Sequence, residues 1–423
     1  MLLRKSKLRA RLFISLTNSQ ITIKTNIYHS YSCQQRRTTA GKPKGAKAME
    51  VVKEKSSSLL CCVSHLVPSV QELAKKPITT LPPRYVQQDL DGSEARDQVN
   101  KIDSDDARSY VQPEIPAIDF KKLLSRDEAN SSHESDELAR LHLACKEWGF
   151  FQLVNHGVSS SLLEKIKTDI QDFFNLSIEE KQRFWQRPED MEGFGQLFVL
   201  SEEQKLDWAD VFFMTTLPVQ MRKPHLFPEL PGPFKDTLEM YSLELNNLAI
   251  AILTQMEHAL KLDAKELTEL FEDGMQSMRM NYYPPCPQPE KAIGFTPHSD
   301  ASGLTILLQV NEMDGLQIKK GGIWVPVKPL PEALIINIGD ALEIKTNGSY
   351  RSIEHRAIVN SEKERLSIAT FCNPRFDGEI RPASSLITEQ TPAAYTRIGV
   401  EDYTKAFFAR KLQGKSFLDY LKL

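Results

Sequence analysis

With 423 residues, 41% of them hydrophobic and 26% charged, the chain can bury a large core and matches neither a disordered nor a collagen-like composition. Its longest purely apolar run, Leu248 to Leu253, is far short of the roughly 20 residues that a helical bilayer span needs, so no membrane partner is expected. The net charge of −3 is unevenly spread: residues 1–49 hold eleven Lys and Arg and no acid, which leaves 42 bases against 56 acids beyond them and argues against a nucleic-acid partner.

The first 48 residues are basic and rich in Ser and Thr. They read either as a transit peptide for a plastid or mitochondrion, or as an upstream in-frame start with Met49 as the working N-terminus of a cytoplasmic protein. The six cysteines (Cys33, Cys61, Cys62, Cys145, Cys286 and Cys372) form no CxxC pair, so free thiols in a reducing compartment are expected. A short docking helix is predicted at Val70 to Lys75, a Pro-rich stretch from Pro77, and a polar loop over 86–113. Ile115-Pro-Ala-Ile-Asp-Phe reads as a short strand entering a helix. Asp136 to Trp148 carries apolar residues at helical spacing and stops at Gly149; Phe150-Phe-Gln-Leu-Val is a strand and Asn155-His-Gly a turn.

Ser159 caps an amphipathic helix that runs to about Phe174. Trp208 and Phe212 lie at helical spacing and belong to core or pocket wall, Leu217 to Pro233 is a connector, and Phe234 to about Phe271 forms one or two long helices. Beyond Gly274 the texture changes to short β-rich runs: Met278–Tyr283, Leu304–Val310, Leu316–Ile318, Ile323–Val327, Ala333–Ile338, Ser352–Val359 and Arg365–Phe371. Gly and Pro punctuate them, which predicts a closed or double-sheet β architecture such as a jelly roll, followed by a helical tail over Glu401 to Leu421.

Three features of the β-rich part carry chemistry. In His298-Ser-Asp300, side chains two apart on an extended strand share a face. With His355 they make two imidazoles and one carboxylate, the ligand set of non-haem Fe(II) oxygenases, which leaves positions for a chelating 2-oxo acid and O2. In Arg365-Leu-Ser367 the guanidinium fork and the hydroxyl suit a carboxylate, such as the far end of 2-oxoglutarate. Arg279, Asn281 and Tyr283 share a face in the same way, and Tyr283 can donate to that carboxylate. Each feature alone has a plainer reading: a turn or surface pair for His298 and Asp300, a hydrogen-bonded core histidine for His355, and a surface ion pair for Arg365. Their ordered combination in one segment favours the functional reading.

The chain resembles the plant 2-oxoglutarate/Fe(II)-dependent dioxygenases, in the senescence-related subgroup with opiate demethylase-like and norcoclaurine synthase-like members. The motifs that carry the resemblance are Asn281-Tyr-Tyr-Pro-Pro-Cys-Pro-Gln-Pro, Thr296-Pro-His-Ser-Asp, Asn337-Ile-Gly-Asp, Tyr350-Arg-Ser-Ile-Glu-His-Arg and Glu364-Arg-Leu-Ser-Ile-Ala-Thr-Phe. Upstream, Trp148-Gly-Phe-Phe-Gln-Leu-Val-Asn-His-Gly-Val adds to them, and Leu66-Val-Pro-Ser-Val-Gln-Glu-Leu-Ala, Gly193-Phe-Gly-Gln and Asp207-Trp-Ala-Asp point to the subgroup. It implies a mixed α+β fold: a double-stranded β-helix (jelly-roll) core with flanking helices and an α-rich N-terminal domain. The resulting divisions are a basic extension (1–48), an N-terminal dioxygenase domain (49–225), scaffold helices (226–273), the jelly-roll domain (274–375) and a C-terminal helical tail (376–423).

Carried over by position, the resemblance makes His298, Asp300 and His355 iron ligands, Arg365 and Ser367 the cosubstrate clamp with Tyr283 and Asn281 as further contacts, and Phe371 a stacking partner for an aromatic substrate. It implies Fe(II), 2-oxoglutarate and O2, with ascorbate as reductant, in a monomer acting on a small molecule. The expected reaction couples decarboxylation to succinate with hydroxylation; at an O- or N-methyl group the product collapses, which reads out as demethylation. Competing readings are an ascorbate-dependent oxidase of the aminocyclopropane-carboxylate type, a non-catalytic small-molecule binder, and a zinc hydrolase.

Overall fold

The structure, a computed structural model, describes residues 64–87, 114–125, 131–187, 190–410, 412 and 414–423, without the side chains of 131–135. The basic extension, Met49, Cys33, Cys61, Cys62 and most of the polar stretch 86–113 lie outside the described residues.

Fourteen strands are described. The N-terminal part supplies β1 (Ala117–Asp119), β2 (Phe150–Val154), β3 (Gly193–Gly195) and β4 (Asp210–Leu217). Then follow β5 (Met275–Tyr283), β6 (Phe295–His298), β7 (Leu304–Gln309), β8 (Leu316–Lys320), β9 (Ile323–Pro326) and β10 (Leu334–Ile338). The remainder are β11 (His355–Ala357), β12 (Arg365–Asn373), β13 (Glu379–Ile380) and β14 (Ile398–Gly399). Eight strands form the major sheet in the order β1-β2-β10-β7-β12-β5-β4-β3, and four form the minor sheet in the order β6-β11-β8-β9. Phe150 and Ile335 of the major sheet pack in one cluster with Leu316, Ile318 and Val325 of the minor sheet, closing a double-stranded β-helix core.

The centre of the major sheet explains the site. β12 pairs antiparallel with β5 over nine residues, from Arg365 opposite Tyr283 to Asn373 opposite Met275. Period two then separates Leu366, Ile368, Met278, Met280 and Tyr282, all in the main core cluster, from Arg365, Ser367, Asn281 and Tyr283 on the other face. The helix Gly232–Leu260 lies against this core with Leu238, Tyr241, Leu245, Leu248, Ile252, Leu253 and Met256 buried at helical spacing. It ends earlier than the sequence pattern suggests: Lys261 takes a left-handed conformation (φ 55°), and the Glu257 carboxylate accepts from the Leu267 and Thr268 amides, each at 2.7 Å, so the chain turns back.

Strand β4 corrects the helical spacing read for Trp208 and Phe212. It lies between β3 and β5 with Phe212 and Met214 in the main core, and seven of its eight residues are buried. A strand covered on both faces shows no polar alternation, so its period was hidden. The helical tail is broken into Val400–Phe408 and Ser416–Asp419. Ser159 is the N-cap of the helix Ser160–Asn175, though its hydroxyl bonds to Ser161 rather than to a helix amide.

The docking helix Val70–Ala74 is held by one side chain from β4. Asp210 accepts from the Ser69 hydroxyl (2.6 Å) and from the amides of Val70 (2.8 Å) and Gln71 (2.9 Å). Asp210→Ala strands these buried donors at the helix N-terminus, although the Ser69 N-cap remains, so it is expected to cost about 2–3 kcal/mol, read as a lower denaturant midpoint. An unchanged midpoint would remove this carboxylate from the account of helix docking.

Candidate functional site

β6 and β11 pair so that His298 and His355 stand directly opposite, with ring centroids 4.3 Å apart. Strand β6 ends at His298, so Asp300 lies just past the strand rather than two positions along it. Its carboxylate still turns to the imidazoles: Oδ1 is 3.4 Å from His298 Nε2 and 3.7 Å from His355 Nε2. One ligand atom from each residue lies within 4.8 Å of the others, and all three residues are buried.

Both imidazoles are oriented by the backbone. His298 Nδ1 donates to the Thr296 carbonyl (2.8 Å) and His355 Nδ1 to the Ile353 carbonyl (3.1 Å), which leaves each Nε2 lone pair facing Asp300. Phe295 and Phe150 pack edge-on against the two rings. The other oxygen of Asp300 accepts from Thr305 Oγ1 (2.7 Å) and Asn337 Nδ2 (2.8 Å), so Oδ1 remains for a ligand. Burial, with His298 beside it, presses the His355 imidazole down to about 4, so it is neutral at pH 7. Burial works against the Asp300 carboxylate, yet His355, His298 and the Asn337 amide hold it below the ordinary carboxylate range. Two imidazoles and a carboxylate suit a divalent first-row metal, and His298 Nε2 is buried without a hydrogen-bond partner, as a ligand atom would be.

Next to this triad lies a chamber of about 450 Å³ lined by His298, Asp300, His355, Asn281, Tyr283, Arg365 and Ser367. Arg365 is 2% exposed and has no carboxylate partner among the described residues. Its Nη2 donates to Gln309 Oε1 (2.8 Å), its Nη1 to Ser367 Oγ (3.4 Å), and its Nε has no partner. Asn281 Nδ2 donates to Ser367 Oγ (3.2 Å), and the Tyr283 ring lies 5.2 Å from the guanidinium carbon. A guanidinium is expensive to bury unpaired, so the arrangement fits an incoming carboxylate as its counter-ion. Gly315 makes room for it: a Cβ there would stand 2.7 Å from Arg365 Cδ.

A second cavity of about 920 Å³ shares Arg279, His298, Asp300 and Phe371 with the chamber. Its walls are mainly apolar and aromatic: Phe198, Phe213, Phe376, Phe407, Phe408, Leu197, Met275 and Leu412. Phe371 stands at the junction. Arg279, to which the sequence reading gave no role beyond its face, packs with its guanidinium carbon 4.0 Å from the Phe295 ring centre and 5.4 Å from that of Phe371. Asn337 and Thr305, which steady Asp300, were also missed; Asn337 was visible only as part of Asn337-Ile-Gly-Asp. His156 stays in its turn, with Nε2 on the Glu332 carbonyl and Nδ1 accepting from the Val158 amide. Among the described residues, no helix is long and apolar enough to cross a membrane.

Two family models match the chain: the 2OG-Fe(II) oxygenase superfamily over residues 274–374, and the non-haem dioxygenase in morphine synthesis N-terminal over residues 115–230. The chain is 58% identical to Protein SRG1 of Arabidopsis thaliana over 363 residues, which is 85% of this chain and 97% of that protein. It is 52% identical to oxoglutarate-dependent flavonoid 7-O-demethylase 1 of Ocimum basilicum, covering 84% of this chain and 91% of that one. A solved structure of JOX2 in complex with 2OG, Fe and JA superposes with a TM-score of 0.73 at 33% identity, covering 85% of this chain and 98% of that one. The chain belongs to the plant 2-oxoglutarate/Fe(II)-dependent dioxygenases, in the senescence-related, opiate demethylase-like and norcoclaurine synthase-like subgroup, and is an oxidoreductase.

Proposed function

We propose that the protein oxidises a small aromatic plant metabolite, by hydroxylation or by O- or N-demethylation, with Fe(II) held by His298, Asp300 and His355. The observation that carries this reading is the junction of two unlike cavities at the triad: one polar, with a buried unpaired guanidinium, the other aromatic. When bound, ferrous iron supplies the O2 activation that couples decarboxylation of 2-oxoglutarate to attack on a C–H bond.

The chain's own residues do the rest. Arg365 and the Ser367 hydroxyl bind the far carboxylate of 2-oxoglutarate, with Tyr283 and Asn281 beside them, which turns its 2-oxo acid end toward the triad. The Nδ1 bonds to Thr296 and Ile353 keep both Nε2 atoms aimed inward. The aromatic walls exclude water and present a flat substrate edge-on to the triad, with Phe371 against its ring. Ascorbate serves as reductant. The clamp favours this reading over a zinc hydrolase, which would leave Arg365 without a counter-ion. An ascorbate-dependent oxidase of the aminocyclopropane-carboxylate type shares the triad and an Arg-x-Ser, and is told apart by whether succinate forms.

The test is a panel of phenolic and alkaloid methyl ethers incubated with Fe(II), 2-oxoglutarate and ascorbate. Substrate-dependent succinate matched by formaldehyde or hydroxylated product is expected. Turnover without succinate would favour the ascorbate-dependent oxidase, and no substrate-dependent succinate from any aromatic compound would contradict the proposed substrate class. For the substrate so found, Phe371→Ala is expected to raise KM about tenfold, the loss of one aromatic stacking contact, with a smaller change in kcat.

A further inference from the structure

The two carboxylates of Asp207-Trp-Ala-Asp go to different parts of the fold. Asp210 accepts from the first amides of the docking helix, but Asp207 points toward β6. Both of its oxygens go to a single residue: Oδ1 accepts from Thr296 Oγ1 (2.6 Å) and Oδ2 from the Thr296 amide (3.2 Å). It has no ion-pair partner among the described residues, although it lies in a largely buried setting. The Thr296 carbonyl, in turn, accepts from His298 Nδ1 at 2.8 Å.

The segment that presents Asp207 is itself anchored. The Leu206 amide donates to the Arg84 carbonyl (2.8 Å) and the Trp208 amide to the Ile293 carbonyl (2.7 Å), while the buried Trp208 indole donates to the Pro284 carbonyl (3.2 Å). Asp207 is therefore a fixed post on which β6 hangs one residue pair before its ligand. The other imidazole is held differently: Nδ1 of His355 meets the carbonyl of Ile353, a residue with no side-chain donor for a carboxylate to hold.

We propose that Asp207 is a positioning residue for the metal site, which fixes Thr296 and, through the Thr296 carbonyl, the ring orientation and Nδ1–H tautomer of His298. A carboxylate from the N-terminal part of the chain thus helps set the aim of one Nε2. This inference rests on the reading of His298 as an iron ligand, and the experiment separates the two.

Metal-free full-length protein is titrated anaerobically with Fe(II) at saturating 2-oxoglutarate, with the visible absorbance of the chelate as readout and the thermal midpoint of the metal-free protein beside it. Asp207→Ala and Thr296→Val are each expected to weaken Fe(II) binding about tenfold, the lower end for groups that orient a metal ligand. Thr296→Ser, which keeps the hydroxyl, is expected to stay within about twofold of the parent, so the Ser and Val variants form a rescue pair. Should Asp207→Ala fail to fold, that pair decides alone. If Thr296→Val binds Fe(II) as tightly as Thr296→Ser, the positioning role is overturned, whatever the thermal midpoints do. His298→Ala is the control: persistence of the absorbance in it would sink the reading of His298 as a ligand and the role of Asp207 with it, whereas equal binding by Thr296→Val and Thr296→Ser sinks the role of Asp207 alone.

Discussion

Arg365→Ala is expected to weaken 2-oxoglutarate binding by several hundredfold while leaving Fe(II) binding in the absence of cosubstrate within about twofold. The magnitude follows from the setting. A charge-assisted, two-contact bond to a carboxylate in a desolvated chamber is worth about 3–4 kcal/mol when one partner is deleted. Arg365 is 2% exposed, and its hydrogen-bond partners, Gln309 and Ser367, are neutral, so its charge is left for an incoming carboxylate. Arg365→Lys should recover only part of the loss, because an ammonium keeps the charge but not the fork. Isothermal titration of the variants with 2-oxoglutarate checks both. Unchanged affinity in Arg365→Ala would remove the clamp assignment, and with it the main argument against a zinc hydrolase.

His355→Ala is expected to abolish turnover and to lower Fe(II) affinity at least a hundredfold, since it deletes one of the three donors proposed for the metal from a buried site. Asp300→Asn is the sharper companion. The amide oxygen can still accept from Thr305 and Asn337, which hold Oδ2 in the parent, so the loop should keep its shape while the anionic donor is lost. Metal content after dialysis against Fe(II), measured with the circular dichroism of each variant, separates loss of ligation from loss of fold. Retention of stoichiometric iron by both variants would place the metal elsewhere.

Much of this site was legible because strands write their faces at period two. The alternation in Met278–Tyr283 and Arg365–Phe371 put Arg365 and Ser367 on one face of their strand, and Asn281 and Tyr283 on one face of theirs, before any pairing was known. Pairing then set Arg365 opposite Tyr283 and Ser367 opposite Asn281. The same rule served less well at Asp300, which lies beyond the end of β6 and reaches the imidazoles through its loop. Strand β4 escaped because both of its faces are buried, one in the core and the other along the outer cavity, which erases the polar alternation on which the rule depends. Apart from Phe371, the aromatic walls of the outer cavity could not be read. Phe198, Phe213, Phe376 and Phe407 come from four separated stretches, and only tertiary packing makes them neighbours. Arg279 and Asp207 were visible as members of motifs, but a motif does not say which atom a side chain touches.

The most direct test of the central claim is anaerobic addition of Fe(II) and 2-oxoglutarate to the intact protein, following the visible charge-transfer absorbance of the chelate. Its growth to an endpoint of one iron and one 2-oxoglutarate per chain is predicted. A spectrum that stays featureless while both are present in excess would contradict a ferrous centre on His298, Asp300 and His355 with an edge left open for a keto acid.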